Sequence, residues 1–277
     1  MSQDPPAGSD KDDWTTSTRK EFYDYYAEQS NSESTRQRFR SQKDRILKVH
    51  GENGPGRSLD VGDIGGGAGS LSMIWAEGGH RVRCVDINAH LIELARKRSV
   101  ERGLDITFEV ASATDLPWQD QSLDVCCMPE LLEHVEDWKR CLDEMARVLR
   151  PGGILFLSTS NKLCPKQQEF ALPLYSWYPG RLKAHYVRLA NTTRPELANY
   201  ATYPAVNWFT PYSLRAALLS RGFDRILDNF DLAALGNLGT AKTLVLSLIR
   251  SNPIFRCFGY LLYPGTVLLA QKTRGCP

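Results

Sequence analysis

The sequence predicts an α/β fold built on a doubly wound, largely parallel sheet. Apolar strand-like runs alternate with helical patterns from residue 57 to residue 157, as in consecutive βαβ units. A glycine-rich turn at 65–69 follows the first apolar run and opens a helix. The run 123–128 is apolar throughout, which is typical of a parallel strand buried on both faces. Together these observations predict a ligand site at the carboxyl ends of the strands.

Seven strands are expected, each bounded by glycine, proline or polar turn residues. They are 58–64, 81–87, 107–111, 123–128, 153–158, 223–230 and 266–271. Helices are expected where apolar residues recur at helical spacing. They are 18–29, 35–50, 69–77, 89–102, 138–149 and 211–220.

The domain organisation follows from where this alternation starts and stops. We predict a disordered polar tail at 1–14, N-terminal helices at 15–56, a cofactor-binding core at 57–159, an inserted cap at 160–207, and a completion of the sheet at 208–277 with an irregular stretch at about 231–263. Net charge is +2, too weak a field for a typical nucleic-acid binder, so no nucleic-acid partner is expected. The start of the chain lacks the blocks of a secretory signal, so a cytoplasmic location is expected.

The central motif is the loop that reads Asp-Ile-Gly-Gly-Gly-Ala-Gly at 63–69. Glycines allow a sharp turn and a close approach of the backbone to a ligand. The dinucleotide fingerprint fails because Ser70 stands at its third glycine position, and no Gly-Lys-Ser/Thr of a phosphate loop is present. The loop is therefore interpreted as a nucleotide-type site of another class.

Asp86 ends the second strand, 17 residues beyond Gly69. A carboxylate there can accept two hydrogen bonds from a ribose diol, as an acidic residue does in dinucleotide sites. The alternative, a cap for the following helix, suits Asn88 better.

Four motifs in order carry a resemblance to a known family. They are the glycine loop, Ser-Ala-Thr-Asp-Leu-Pro-Trp at 112–118, the run 122–135 and the run 147–158. They resemble the class I S-adenosylmethionine-dependent methyltransferases, nearest to the branch of ubiquinone-biosynthesis O-methyltransferases. The resemblance covers 57–158 and, more weakly, 207–230. It implies S-adenosylmethionine as the cofactor and a Rossmann-like seven-stranded sheet with an antiparallel last strand.

The resemblance also implies the residues that contact the cofactor. They are Asp63, Gly65, Gly67, Gly69, Asp86, Ile87, Ser112, Ala113 and Pro129. Ser112 replaces the acidic residue that is usual in the adenine loop of the family. Backbone groups around Ala113 are therefore the alternative means of recognising the adenine.

The catalytic candidates are Glu130, Glu133 and His134, which form a Glu-x-x-Glu-His motif after the fourth strand. A hydroxyl acceptor must lose its proton, and His134 is a candidate general base. In some members of the resembled branch these positions are linked to a divalent cation, so a cation is an additional expectation whose ligands are not defined. Glu130 and His134 share a face if the segment is helical. A purely structural His134 is the alternative.

The insertion 160–207 departs from the resembled branch and is rich in aromatic and basic residues. Such a composition between 170 and 189 suits peripheral contact with the inner face of a membrane, or a lid over an apolar acceptor. A cap that buries its aromatic residues is the alternative. The run 254–263 is a candidate for the same surface.

The sequence thus predicts methyl transfer to a small-molecule acceptor, through a hydroxyl of a phenolic, lipid-like or natural-product compound. N- or C-methyl transfer is an alternative, as is a cofactor-binding scaffold or regulatory subunit without turnover. A base methyltransferase is disfavoured because Met128-Pro129-Glu130 stands where an Asn/Asp-Pro-Pro-Tyr/Phe motif is expected. The oligomeric state is not indicated.

Overall fold

The structure is a computed structural model that describes residues 30–51, 57–167, 169–198, 205–236 and 239–274. The predicted tail 1–14 and helix 18–29 lie outside the described residues. The described strands are β1 Asp60–Ile64, β2 Arg81–Asp86, β3 Ile106–Val110, β4 Leu123–Pro129, β5 Leu149–Ser160, β6 Phe223–Leu227 and β7 Gly265–Lys272. The described helices are α1 Glu33–Gly51, α2 Ser70–Glu77, α3 Ala89–Glu101, α4 Trp138–Val148, α5 Gly180–Thr192, α6 Pro211–Leu219, α7 Asn229–Ala233, α8 Thr240–Ser251 and α9 Pro253–Leu262.

The strands form one seven-stranded sheet in the order β3-β2-β1-β4-β5-β7-β6. Strands β1 to β5 pair in parallel, and β7 is antiparallel to both β5 and β6. The predicted fold class is confirmed, including the antiparallel last strand. The order reverses between β1 and β4, so a crevice opens at their carboxyl ends, where open α/β sheets bind ligands.

Two apolar layers hold the sheet between helices. On one face Leu142 and Met145 of α4 pack on β4 and β5, and on the other Ile46 of α1 and Trp75 of α2 pack on the same strands. All four side chains are fully buried, and each such burial stabilises the fold by roughly 1.5–3 kcal/mol. The central strands are thereby fixed, and the loops at their ends are held in place.

The prediction that residues 231–263 are irregular is wrong, because the structure has helices α8 and α9 there. Asn252 accepts a hydrogen bond from the backbone of Ile254, and Pro253 occupies the first turn of α9, so the helix has a good start signal. The expected strand 223–230 ends early at Leu227, because Asp228 caps α7 through the amides of Phe230 and Asp231.

The inserted cap contains α5 and two short 3₁₀ turns, Tyr175–Trp177 and Pro195–Ala198. Phe170 stacks on Tyr175 at a centroid distance of 4.1 Å, and Tyr178, Tyr186 and Trp208 surround the same ring. Among the described helices, none combines the length and the apolar character that crossing a bilayer requires.

Candidate active site

The glycine loop turns directly off the end of β1. The amides of Gly65 and Gly66 both donate to the carbonyl oxygen of Val85 in β2, at 2.9 and 3.1 Å. Gly65, Gly67 and Gly69 have φ of 68°, 52° and 76°, in the left-handed region that favours glycine. The backbone itself therefore forms the wall of the crevice, and the amino end of α2 follows immediately at Ser70.

Gly66 is required for a different reason, which is space. A Cβ atom there would lie 2.4 Å from Cys84 Sγ and 2.8 Å from Asp63 Oδ2. Asp63 is fully buried below the loop and accepts a hydrogen bond of 2.6 Å from Ser72 Oγ. Burial raises the pKa of Asp63 to about 6, although the Ser72 hydroxyl lowers it. Asp63 therefore supports the loop from beneath.

Asp86 joins the loop to the end of β2. Its Oδ2 accepts the amide of Gly67 at 2.8 Å, and its Oδ1 accepts the amide of Asn88 at 2.8 Å. Burial raises the pKa of Asp86, while these backbone donors lower it. Asn88 caps α3 through its own side chain, as expected, which leaves Asp86 to face the crevice.

A first cavity of about 380 Å³ lies in this crevice, a volume within the usual range of ligand sites. Among the predicted cofactor residues, Gly65, Asp86, Ile87, Ser112 and Ala113 line it. Apolar walls come from Val85, Leu91, Ala111 and Leu131. The predicted Gly67 and Gly69 do not line the cavity; Gly67 acts through Asp86, and Gly69 lets α2 pack closely on Ala95 and Phe108.

Ser112 has a local hydrogen-bond pattern in the loop after β3. Its Oγ lies 2.8 Å from Thr114 Oγ1 and accepts the amide of Thr114 at 3.2 Å. Asp115 donates its amide to the carbonyl of Ser112, which closes the turn. Ser112 therefore holds the shape of the loop that presents Ala113 to the first cavity.

A second cavity of about 380 Å³ lies on the other side of the glycine loop. Gly65, Glu130 and His134 line both cavities, so the two meet at these residues. Asp63 and Pro129, predicted as cofactor contacts, line the second cavity only.

Arg38 of α1 also lines the second cavity, and sequence reasoning missed it. Its Nη1 donates to Glu130 Oε1 at 2.9 Å, and both side chains are more than half exposed. Nothing in the sequence around Arg38 distinguishes it from the other arginines of α1. Only the packing of α1 against the sheet brings it to the crevice.

The segment that carries the catalytic candidates is a turn rather than a helix. Glu130 has φ of 52° and donates its amide to Ser158 of β5, and the amide of His134 bonds to the carbonyl of Leu131. The condition under which Glu130 and His134 would share a helical face is therefore not met. Sheet pairing continues through Pro129 and overrides the helical spacing.

Glu133 is the buried member of the motif, with 1% of its surface exposed. Burial raises its pKa to about 8; the charges of Glu169 and Glu130 also raise it, while its own backbone amide and the Thr159 hydroxyl lower it. Its Oε2 has no hydrogen-bond partner among the described residues, although Glu133 lines the second cavity. A buried acceptor that lacks a partner is rare and invites a ligand or an ordered water.

The segment 205–209 fixes this turn, another contact that the sequence did not predict. The amides of Val206 and Asn207 donate to the carbonyl of Glu133, and Asn207 Nδ2 donates to the carbonyl of Val135 at 2.6 Å. The cap adds Glu169, which accepts a hydrogen bond from Ser160 and lines the second cavity.

No group of three or more His, Cys, Asp and Glu side chains in the described ranges is arranged to hold a metal ion. The turn explains this result for the Glu-x-x-Glu-His motif, because Glu130 faces solvent while Glu133 is buried. The expected divalent cation thus gains no support.

The methyltransferase domain family matches residues 62–157, which include the loop, Asp86 and the Glu133 turn. The ubiquinone biosynthesis O-methyltransferase of Xanthomonas euvesicatoria pv. vesicatoria is 40% identical over 101 residues, which are 36% of this chain and 42% of that protein. The chain thus spans about two fifths of the length of the curated relatives it matches. These findings confirm the resemblance to methyltransferases that the motifs predict.

Solved structures share the fold over most of the chain. The PH0226 protein from Pyrococcus horikoshii OT3 superposes with a TM-score of 0.57 at 16% identity, covering 92% of this chain and 99% of that one. Geranyl diphosphate methyltransferase, solved in complex with S-adenosylmethionine, gives a TM-score of 0.51 at 18% identity, covering 88% and 92%. At such identities these likenesses establish the fold alone.

Proposed function

We propose that this chain, whose residues 62–157 match the methyltransferase domain family, transfers a methyl group from S-adenosylmethionine to a hydroxyl of a small phenolic or lipid-like acceptor. The observation that carries the proposal is the pair of cavities that meet at Gly65, Glu130 and His134. One cavity suits a nucleoside, and the other is lined by the buried carboxyl of Glu133, whose Oε2 has no hydrogen-bond partner among the described residues. When bound, S-adenosylmethionine supplies an electrophilic methyl group on a sulfonium centre.

The residues of the first cavity fit the adenosine part of that cofactor. The amides of Gly67 and Asn88 each occupy one oxygen of Asp86, and the Ile87 amide also bonds to this carboxylate; because a carboxylate has about four acceptor sites, at least one remains for a ribose hydroxyl. Leu91, Ala111 and Leu131 supply apolar surface for a flat base. Ser112 and Ala113 supply the polar edge that would recognise the base.

Arg38 and the amino end of α2 fit an amino-acid carboxylate. Arg38 lies in the second cavity beside the glycine loop and carries a guanidinium, which binds carboxylates through two parallel hydrogen bonds. The amino end of α2, which begins at Ser70 beside the loop, adds a partial positive charge. Asp63 and Glu130 give the same cavity an acidic wall, which suits a cationic ligand that also has a carboxylate.

Glu133 is the group in this site best suited to take a proton from an acceptor hydroxyl. Its pKa of about 8 lies far closer to that of a phenol, about 10, than an ordinary carboxyl does. Its unpartnered Oε2 is available for a hydrogen bond. His134, which lines both cavities, orients the hydroxyl or shares the proton in this proposal.

A hydroxyl acceptor is favoured over an amine by the relative named as an O-methyltransferase of ubiquinone biosynthesis. A hydroxyl also needs the base that Glu133 provides, whereas a neutral amine needs none to attack. Leu131 and Val135 at the meeting point, with Phe39 in the second cavity, give an acceptor an apolar surface.

Methyl transfer with an isotopically labelled cofactor tests the proposal. The full chain is incubated with a panel of catechols, simple phenols and matched anilines, and labelled products are identified by mass. We expect label on hydroxyl groups and none on amines. Label on nitrogen or carbon would contradict the choice of acceptor. Tight cofactor binding without transfer to any hydroxyl compound would instead favour the cofactor-binding scaffold.

A further inference from the structure

Helix α9 turns its apolar side away from the protein. Ile254, Phe258 and Leu262 are spaced four residues apart, so they lie on one face, and they are 64%, 60% and 85% exposed. Phe255 and Tyr263 extend the same exposed surface. A surface helix of a globular protein normally directs such a face toward the core. Here the apolar face is left in contact with water.

The opposite side of α9 is fixed to α7 by polar contacts. Arg256 donates to Asp228 at 2.9 Å, and the hydroxyl of Tyr260 hydrogen-bonds to the same carboxylate. A Cβ atom at Gly259 would meet the ring of Phe230 at 2.6 Å, so the two helices are in close contact. The polar face is thus held inward and the apolar face points outward, which is the reverse of an ordinary amphipathic helix.

Helix α8 continues the exposed surface. It packs on α9, and none of its residues is buried. Leu244, Val245 and Leu248 are each more than half exposed and cluster on one side. The two packed helices thus both expose apolar side chains, and we term these residues the α8–α9 surface.

The charged side chains within α8, α9 and the middle of the inserted cap are all cations. Residues 239–263 contain three cations and no carboxylate, and the cap residues 170–193 also contain three cations and none. The whole chain, by contrast, has 34 lysines and arginines against 32 acidic residues. Arg250 pairs with Asp231 of α7, and Arg256 pairs with Asp228, the N-cap residue of that helix. By contrast, Arg181, Arg188 and Lys242 are exposed and form no ion pair within the described ranges.

The cap and α9 meet at the same turn after β5. Asn161 donates its side-chain amide to the carbonyls of Tyr260 and Tyr263, each at 2.8 Å. Trp177 of the cap donates its indole N–H to the carbonyl of Leu163 at 3.1 Å, and its ring is half exposed. The carboxyl end of α9 and Trp177 thus both lie beside the turn that follows β5.

We propose that the α8–α9 surface, together with Trp177, docks on an anionic lipid bilayer. Interfacial helices insert an apolar face among the headgroups and are attracted to anionic lipids by nearby lysines and arginines. In a symmetric contact with a second copy this surface would meet itself, and neither α8 nor α9 carries a carboxylate that could pair with Lys242. The proposal goes beyond methyl transfer and does not depend on it.

Co-sedimentation of the full chain with vesicles tests the proposal. The vesicles consist of phosphatidylcholine alone or of phosphatidylcholine mixed with phosphatidylglycerol. The chain is compared with the double variant Phe258→Glu/Leu262→Glu and with Lys242→Glu. Val100→Glu is the matched control, since Val100 of α3 is 78% exposed and lies outside the α8–α9 surface. All the altered side chains are exposed, so the fold is expected to be retained, and circular dichroism verifies this.

We expect the unaltered chain to sediment with the mixed vesicles. In the double variant the sedimented fraction should fall at least about tenfold, because two apolar anchors are lost and two negative charges are added. Lys242→Glu is expected to weaken sedimentation about fivefold or more, and Val100→Glu to leave it unchanged. Failure of the unaltered chain to bind mixed vesicles would overturn the proposal. So would equal binding by the double variant. A dimer seen by sedimentation velocity that the double variant dissociates, without vesicle binding, would assign the surface to a second copy instead.

Discussion

Gly67 donates its backbone amide to Oδ2 of Asp86 over 2.8 Å, and this contact connects the glycine loop to the end of β2. The two most specific motifs of the sequence are therefore one structural unit. The left-handed backbone of Gly67 is what directs its N–H toward the neighbouring strand. Any ligand that bonds to Asp86 is consequently positioned relative to the loop as well.

Asp86→Ala is expected to weaken binding of S-adenosylhomocysteine by about tenfold to a hundredfold, the loss of one or two hydrogen bonds to a charged group. The KM of the acceptor at saturating cofactor should change little, because Asp86 lines only the first cavity. Titration calorimetry measures the first quantity and steady-state kinetics the second. Equal losses in both would refute a ribose-binding role.

Arg38→Ala is expected to weaken binding of S-adenosylhomocysteine by about tenfold, because a guanidinium–carboxylate contact would be lost. Binding of 5′-methylthioadenosine, which has no amino-acid carboxylate, should stay the same. Asp86→Ala should weaken binding of both compounds and thus serves as the comparison. Calorimetry with the two nucleosides separates the two ends of the site, and a parallel loss in Arg38→Ala would exclude the assigned role.

The sequence predicted the features that local chemistry determines. Alternating apolar runs defined the strands, and the glycines and Asp86 defined the crevice, because these residues act through backbone geometry near their own position in the chain. Arg38 and Asn207 could not be predicted, since tertiary packing alone brings them to the Glu133 turn. Helices α8 and α9 were missed although Ile254, Phe258 and Leu262 recur at helical spacing and Asn252 and Pro253 form a start signal for α9.

Gly66→Ala is expected to lower the free energy of unfolding by roughly 1–3 kcal/mol, the usual cost of overpacking. The added methyl group would contact Cys84 Sγ and the Asp63 carboxylate, neither of which has room to move in the buried core below the loop. Gly180→Ala is the control, because a Cβ atom there meets nothing within 4 Å and the residue opens a helix. Urea unfolding of both variants gives the comparison. Equal stability of the two would show that the loop can adjust.

Glu133→Gln is expected to remove a pH dependence of methyl transfer. Burial raises the pKa of Glu133 to about 8, so at pH 7 the carboxyl is mostly protonated and cannot act as a base. Activity toward a hydroxyl acceptor should therefore rise with pH until Glu133 ionises near 8 and then level off. The isosteric amide cannot take a proton, so kcat should fall by about a hundredfold or more and this rise should disappear.

The measurement for Glu133→Gln is a profile of kcat/KM against pH at saturating cofactor, alongside calorimetry with S-adenosylhomocysteine. Cofactor affinity should be retained, which separates a role in proton transfer from one in binding. Glu93→Gln serves as the matched control, because Glu93 is an exposed carboxylate of α3 that pairs only with Arg96 among the described residues. It should reproduce the profile of the unaltered chain. If Glu133→Gln keeps the same rise with pH, the base is another group, and His134 at the meeting point of the cavities becomes the candidate.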